Sequence, residues 1–369
     1  MAGSRALRKL QLGAETVAAG TNAAATTIWR GTGVIKDQRD IVFPEEDVGI
    51  LGGTTRNYPK AIWSELTMPS VEATFEQLPY IFQAGIDLVV PVIDDSGVSY
   101  VWQWIPSLTS QNTTETYSIE GGDDNQAEEF SFGFVKNFNL SGDGQGALMM
   151  SSDWVGQSTS NTIFTANVDI PEVEEIMVNS ASLYIDDSGG SVGDSAVSAT
   201  LFGIDLNWTT GLSEYWAVDG SNEFSLIKFT TDEIVLNMVY EHNAAAVLEK
   251  AKYRDQSVRL VRLAFLGSAA ASTASPSASP SFSGSASASP SPSSSPSASV
   301  SPSASSSQGD ITYANKLMYI DLAGVYEDWS VLQDQDGNDV VTATLRCRYS
   351  TADALKAEII IVNELRELP

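Results

Sequence analysis

Phe130-Ser131-Phe132-Gly133-Phe134-Val135-Lys136-Asn137-Phe138-Asn139-Leu140 is the stretch that decides the fold. Read with a period of two, it puts Phe130, Phe132, Phe134, Phe138 and Leu140 on one face. Ser131, Gly133, Asn137 and Asn139 fall opposite, the pattern of a half-buried strand. Phe202, Ile204, Leu206 and Trp208 repeat it. So do Val341, Ala343, Leu345, Cys347 and Tyr349, set against Thr342, Thr344, Arg346 and Arg348; this face buries the lone cysteine as a small hydrophobe. Glu358-Ile359-Ile360-Ile361-Val362 reads as a strand covered on both sides. Turn residues punctuate these runs at Asp95-Ser96-Gly97, Gly121-Gly122-Asp123, Asp187-Ser188-Gly189-Gly190 and Asp336-Gly337-Asn338. Many short strands at such spacing predict a mainly β chain built as a sandwich or barrel.

Two helices are expected to pack against the sheets. The longer spans about Asp232 to Lys252, capped by Thr231, with Asp232 and Glu233 at its positive end and Lys250 and Lys252 at its negative end. Its apolar stripe is Ile234, Val235, Met238, Ala245 and Leu248. The shorter spans about Phe75 to Ala84, with Phe75, Leu78 and Phe82 facing inward, Pro79 near its first turn and Gly85 stopping it.

From about Ser268 to Gly309 the chain is almost entirely Ser, Ala and Pro. Such a segment has no apolar face to bury and predicts extended, solvated, disordered backbone. Strand-like sequence resumes at Ile311, and the remaining tail is marginal as a domain of its own. The segment therefore reads as an excursion from a surface loop, with a domain linker as the alternative. The expected organisation is a first β half over 1–165 with the short helix and a second over 166–267 plus 310–369 with the long one. Residues 268–309 are inserted into the latter. Phe132-Gly133 and Phe202-Gly203 each open a similar run, which raises an internal duplication as an open question.

The chain of 369 residues carries a net charge of −27 and 43% hydrophobic residues, enough for real cores. So acidic a surface repels nucleic acid, which argues against DNA as a tightly bound ligand. One cysteine excludes an intramolecular disulfide. The N-terminal stretch lacks a continuous apolar core, against a signal peptide, and no run is long enough to span a membrane.

Residues able to carry chemistry are sparse. His242 is the only histidine and is expected inside the longer helix. Gly142-Asp143-Gly144-Gln145-Gly146 lacks the lysine of a phosphate loop and leads into a strand, so it reads as a hairpin turn. Asp334, Asp336 and Asn338 have the odd spacing of a calcium loop, but Leu345 stands where the bidentate glutamate belongs. The acid pairs Asp94-Asp95, Asp123-Asp124, Glu128-Glu129 and Asp186-Asp187 would serve a glycosidase only if two faced one cleft. Tyr100-Val101-Trp102-Gln103-Trp104 alternates; it reads as a core face or subunit contact, with an exposed sugar platform as the alternative.

Thr74-Phe75-Glu76-Gln77-Leu78-Pro79-Tyr80-Ile81-Phe82-Gln83-Ala84-Gly85 resembles a segment of the major tail tube proteins of long-tailed, non-contractile bacteriophages, where a Leu-Pro-Tyr-type helix follows the first strands. Thr114 to Asp123 is similar to the block that comes next, as is its continuation through Phe130 to Ser141 and on to Gln157. The Gly337-Asn338-Asp339 hairpin and Ile359-Ile360-Ile361-Val362-Asn363 are similar in style to the closing strands. The resemblance implies a virion protein of the phage tail, assembled in the host cytoplasm. It implies stacked rings forming an acidic conduit through which DNA passes without sticking. Catalysis, cofactor, metal and membrane have no part in it; its partners are copies of itself and other tail proteins. Among Asp123, Asp124, Glu128 and Glu129 are the candidate lumen or ring-contact acids. A single-domain subunit implies hexameric rings and a fused duplication implies trimers with pseudo-sixfold symmetry. Rival readings are a carbohydrate- or receptor-binding β-sandwich on a virion surface and a head–tail connector or capsid decoration protein.

Overall fold

Ile35, Leu66, Trp154 and Val135 stand in register across four neighbouring strands, and Leu206, Leu236, Leu345 and Tyr326 do the same across four others. All of them are buried, so each row is one layer of core laid on a sheet face. These rows organise the computed structural model, which describes residues 7–16, 19–94, 98–197, 201–270, 313–335 and 337–369. The chain is mainly β, as expected.

The first half comprises β1 (Lys9–Ala14), β2 (Thr27–Ile28), β3 (Val34–Val42), β4 (Tyr58–Glu72), α1 (Leu78–Gly85), β5 (Val92–Ile93), β6 (Tyr100–Trp104), β7 (Tyr117–Gly122), β8 (Ala127–Asp143), β9 (Met149–Gly156) and β10 (Ser160–Thr162). The second comprises β11 (Ala181–Asp187), β12 (Ala196–Val197), β13 (Leu201–Thr209), β14 (Leu212–Tyr215), β15 (Leu226–Phe229), β16 (Glu233–Glu241), α2 (Ala244–Arg254), β17 (Arg259–Ala269), β18 (Asn315–Trp329), β19 (Gln333–Gln335), β20 (Asn338–Cys347) and β21 (Ala357–Asn363). The expected division after residue 165 falls between β10 and β11.

The halves repeat one topology. In the first, β1 pairs with β2 and β7, β7 with β8, β8 with β9 and β10, β9 with β4, and β4 with β3. In the second, β11 pairs with β12 and β17, β17 with β18, β18 with β20 and β21, β20 with β16, and β16 with β13. Helix α1 follows β4 as α2 follows β16. Fine detail recurs too: β8 bulges after Val135, opposite Trp154, and β18 bulges after Tyr326, opposite Leu345. The repeat does not match Phe132-Gly133 to Phe202-Gly203. Phe132-Gly133 lies in β8 and Phe202-Gly203 in β13, which are neighbours across the join; the counterpart of Gly133, opposite Tyr117, is Gly324, opposite Arg259.

At the join β8 pairs with β13, from Asn137 opposite Thr209 to Asp143 opposite Gly203. Strands β3, β4, β9, β8, β13, β16, β20 and β18 therefore run side by side without a break. A second cross-half link is β6, which pairs with β21. Trp102 and Trp104 on it are buried; Trp102 Nε1 donates to Asn363 Oδ1 at 3.0 Å and Trp104 packs edge-on against Phe82 of α1. The aromatic row is a core face, and no sugar platform stands there.

Several expectations need correction. The short helix starts at Leu78, leaving Phe75 before it, and takes in Gly85, which was expected to stop it. The long helix over 232–252 is strand β16 followed by the shorter α2. Ile234, Leu236, Met238 and Tyr240 are all buried with a period of two, and that alternation, paired on both edges, overrides the cap-like Thr231. The true cap is Asn243, whose Oδ1 accepts from the N–H of Ala245 at 3.0 Å and Ala246 at 3.2 Å. Leu248, placed in the stripe, is exposed. Asn243→Ala should cost about 1 kcal/mol, read as a lowered midpoint in thermal unfolding.

The five side chains of the opening stretch do not share one face. Phe130, Phe138 and Leu140 join the main core, whereas Phe132 and Phe134 pack with Phe224 in a separate cluster. A bulge around Phe132, which has φ of 59°, and another after Val135 each shift the alternation by one. Tyr349 lies beyond β20 and is exposed, and Cys347 is only partly buried against the core.

The Ser/Ala/Pro-rich insertion leaves from the turn between β17 and β18. Ser268 and Ala269 still belong to β17, and Ala270 N–H donates to Ala314 at 2.9 Å, so the two ends of the excursion meet. Residues 271–312, with most of the expected insertion, and the Asp95-Ser96-Gly97 turn lie outside the described residues.

Candidate functional site: a polar sheet face between two open edges

One face of the eight-strand span is the core layer. Alternation then forces the other residues of the same strands onto the opposite face, and these are mostly Asn, Asp, Thr, Ser and Gln. They form a hydrogen-bonded belt. Gln38 Nε2 donates to Glu65 at 2.6 Å, Thr67 Oγ1 to Asp153 at 2.8 Å, and Asn137 Nδ2 to the other oxygen of Asp153 at 2.7 Å. Asn139 Nδ2 donates to Asp205 and, at 2.9 Å, to Asn207. Asn237 Nδ2 donates to Asp205 at 3.3 Å, and Thr344 Oγ1 to Asn237 at 2.8 Å. The belt thus reaches from β3 to β20. Its carboxylates Asp153 and Asp205 are held by neutral donors, which fix their position while leaving the charge in place.

The span ends in two open edges. Among the described residues β3 pairs only with β4. At the far end, β17 stops pairing with β18 at Gly324 opposite Arg259, so Val325–Trp329 is paired with β20 alone. Unpaired edges of this kind present rows of backbone donors and acceptors to any strand of matching register. The join inside the chain shows what such an edge does when covered: β8 takes β13 along the side that, on its counterpart β18, is open. Leu140 opposite Leu206 is 1% exposed in the join. Ser330 N–H donates to Thr342 at 2.9 Å, as Asn139 stands opposite Ser151, so Val331 follows in the place of Leu140; it is 79% exposed.

The four acids singled out from sequence lie together, but elsewhere. Asp123 and Asp124 sit in the turn between β7 and β8, and Glu128 and Glu129 at the start of β8, away from the half of β8 that carries the belt. The N–H groups of Asn125 and Gln126 hold the Asp123 carboxylate below its usual range. Glu128 accepts from Gln126 at 2.8 Å and Glu129 from Asn22 at 3.1 Å. Sequence reasoning had Asn137 and Asn139 on the outward face but missed the belt, because the strands that continue it are distant in the chain.

His242 lies in the turn between β16 and α2, its N–H donating to Asp339 at 2.8 Å, and not within a helix. Gly144–Gly146 lies in the β8–β9 turn, with Gly142 and Asp143 still in β8, and Gly337 lies in the turn between β19 and β20. Among the described residues no group of three or more His, Cys, Asp or Glu is arranged to hold a metal, and no helix is long and apolar enough to cross a membrane. Burial pushes the Cys347 thiol up to about 12. Alkylation near neutral pH should therefore be at least about tenfold slower in the folded protein than in denaturant, measured by mass shift over time.

Compared with known proteins, the chain matches no protein-family model and no curated protein.

Proposed function

We propose that this chain is a structural subunit which closes into a ring of three copies and stacks, ring on ring, into a hollow tube of the phage tail-tube type. The polar belt would line a channel for DNA. The observation that carries the reading is the join of β8 and β13, a ready-made example of the contact that the open edges of β18 and β3 would make between copies. With matching register, Ile35 of one copy stands opposite Val331 of the next, as Leu206 stands opposite Leu140. Such a contact is head-to-tail and, if the rotation closes, generates a ring.

Strand spacing sets the minimum copy number. Three copies of the eight-strand span, at about 4.8 Å per strand, give a backbone ring roughly 37 Å across before strand tilt widens it. Two copies give roughly 24 Å, which lining side chains reduce below the width of a duplex. Three is thus the smallest ring that passes DNA, and the repeated halves make it pseudo-sixfold. The lining suits transit. Fixed carboxylates repel phosphate, and a net charge of −27 discourages adhesion anywhere on the surface.

Electron microscopy of the purified, concentrated protein tests this directly. Hollow filaments with a regular axial repeat and threefold or pseudo-sixfold rings support it. Monomers at every concentration sink it, and rings that never stack point to a connector.

A further inference from the structure

The hairpin β13–β16 does not end at its turn-proximal pairs. Its pairing slips by one beyond Thr209 opposite Glu233 and resumes at Leu212 opposite Phe229, so β14–β15 is its distal arm. The β3–β4 hairpin slips by one in the same place, between Asp40 opposite Ala61 and Ile41 opposite Pro59. The two arms are counterparts, yet they are treated differently. The second is seated on the first half: Phe224 packs against Phe132 at 5.2 Å and Trp216 edge-on against Trp63 at 6.1 Å. Ile62 N–H donates to Asn222 at 2.9 Å and Gln157 Nε2 to Phe224 at 2.8 Å. Leu212 is 5% exposed. Its counterpart Ile41 is 43% exposed, and Phe43, Val48, Ile50 and Leu51 beyond it are open to solvent.

The seat of the second arm has a counterpart as well. Matched pairings put Glu233 in the place of Trp63, Arg346 in that of Val155 and Arg348 in that of Gln157. Arg348 N–H donates to Ala323 and Gln157 N–H to Ser131, both at 2.9 Å, which fixes the last correspondence. Those second-half positions line an open cleft of about 830 Å³ with Asp232, Cys347 and Tyr349.

Seat and arm change chemistry together. The first-half seat is mainly aromatic and receives an arm bearing Trp216 and Phe224, with one ion pair beside them, Lys136 to Glu214 at 3.1 Å. The second-half cleft bears exposed Arg346 and Arg348, and the free arm bears Glu45, Glu46 and Asp47, with Glu45 where Trp216 would fall. Arg346 bridges Glu233 at 2.6 Å and Glu327 at 3.2 Å, and Glu46 bridges Arg56 at 2.5 Å, so Arg348, Glu45 and Asp47 are the exposed charges best placed to meet a neighbouring copy. A mainly aromatic seat and an arginine-bearing one would favour different arms.

We infer that the distal β3–β4 arm of one copy seats in the Arg346–Arg348 cleft of the next copy in the ring, through Glu45 and Asp47. This rests on the ring proposed above and deepens it: closure between copies would place an ionic contact where the internal join has the Trp216–Trp63 aromatic one.

Charge reversal tests it. Either Arg348→Glu or the pair Glu45→Lys and Asp47→Lys should raise the concentration needed for ring formation by about tenfold or more, followed by analytical ultracentrifugation. The three changes combined should return it to within about threefold of the native value, the coupling expected of direct partners. Single variants that assemble like the native protein, or a combination that fails to recover, overturn the ionic contact and leave the ring standing. A native protein that never assembles overturns both.

Discussion

Val331→Asp is expected to abolish ring formation while leaving the isolated subunit as stable as the native one. The side chain is 79% exposed, and an exposed substitution away from caps and turns usually changes stability by no more than about 0.5 kcal/mol. In the assembled ring the same position faces Ile35 of the neighbour. There an unpaired carboxylate would be taken from water with nothing to satisfy it, a penalty of several kcal/mol at each of the contacts that close the ring. The counterpart experiment sharpens the result. Leu140 holds the same place in the internal join, already covered by Leu206. Leu140→Asp should therefore destabilise the chain itself, by about 3 kcal/mol or more. Chemical denaturation and light scattering on both variants separate the outcomes. If Val331→Asp rings form as readily as native ones, β18 is not the closing edge. If Leu140→Asp proves harmless, the join is not a model for anything.

How much of this was legible beforehand differs from level to level. Strand identity came through because alternation is a property of neighbours in the chain: Val341, Ala343 and Leu345 are buried as read, and Ile359 to Val362 is covered on both faces. Ile234 to Tyr240 failed for a specific reason. Ile234, Val235 and Met238 satisfy a helical stripe as well as a strand, and Thr231-Asp232-Glu233 looks like a helix start. Asn243, the real start, was hidden by the assumption that the helix was already under way.

The bulges were not legible. Phe132 adopts a backbone conformation that large side chains rarely take, and nothing in its identity announces it. The repeat was nearly silent because packing preserves volume and burial and tolerates changes of identity. Trp154 answers to Leu345 and Val135 to Tyr326, so each row holds one large aromatic at a different place. Only the pairings reveal the match. The polar belt is hidden in the same way, since Asp205 meets Asn139 and Asn237 only after three strands are laid side by side.

The repeat also explains how a long insertion can be carried at all, and predicts what its removal does. Between β7 and β8 the connection is the short turn from Asp123 to Gln126; between the matching β17 and β18 it is the Ser/Ala/Pro-rich excursion. The same hairpin thus closes with or without it. Replacing residues 271–312 by a turn of the Asp123–Gln126 kind should leave the β17–β18 register intact and stabilise the subunit. The Ser/Ala/Pro-rich composition predicts a chain whose closure costs about (3/2)RT ln n, so on that expectation shortening it roughly tenfold should add about 2 kcal/mol. The expected readout is a higher denaturant midpoint with an unchanged far-ultraviolet spectrum, and rings that still form. The far end of this hairpin lies opposite the half of β18 that bears the closing edge, so assembly should not depend on the insertion. A shortened chain that is less stable would mean that the excursion contributes packing of its own. A stable one that no longer assembles would place the insertion in the contacts between copies.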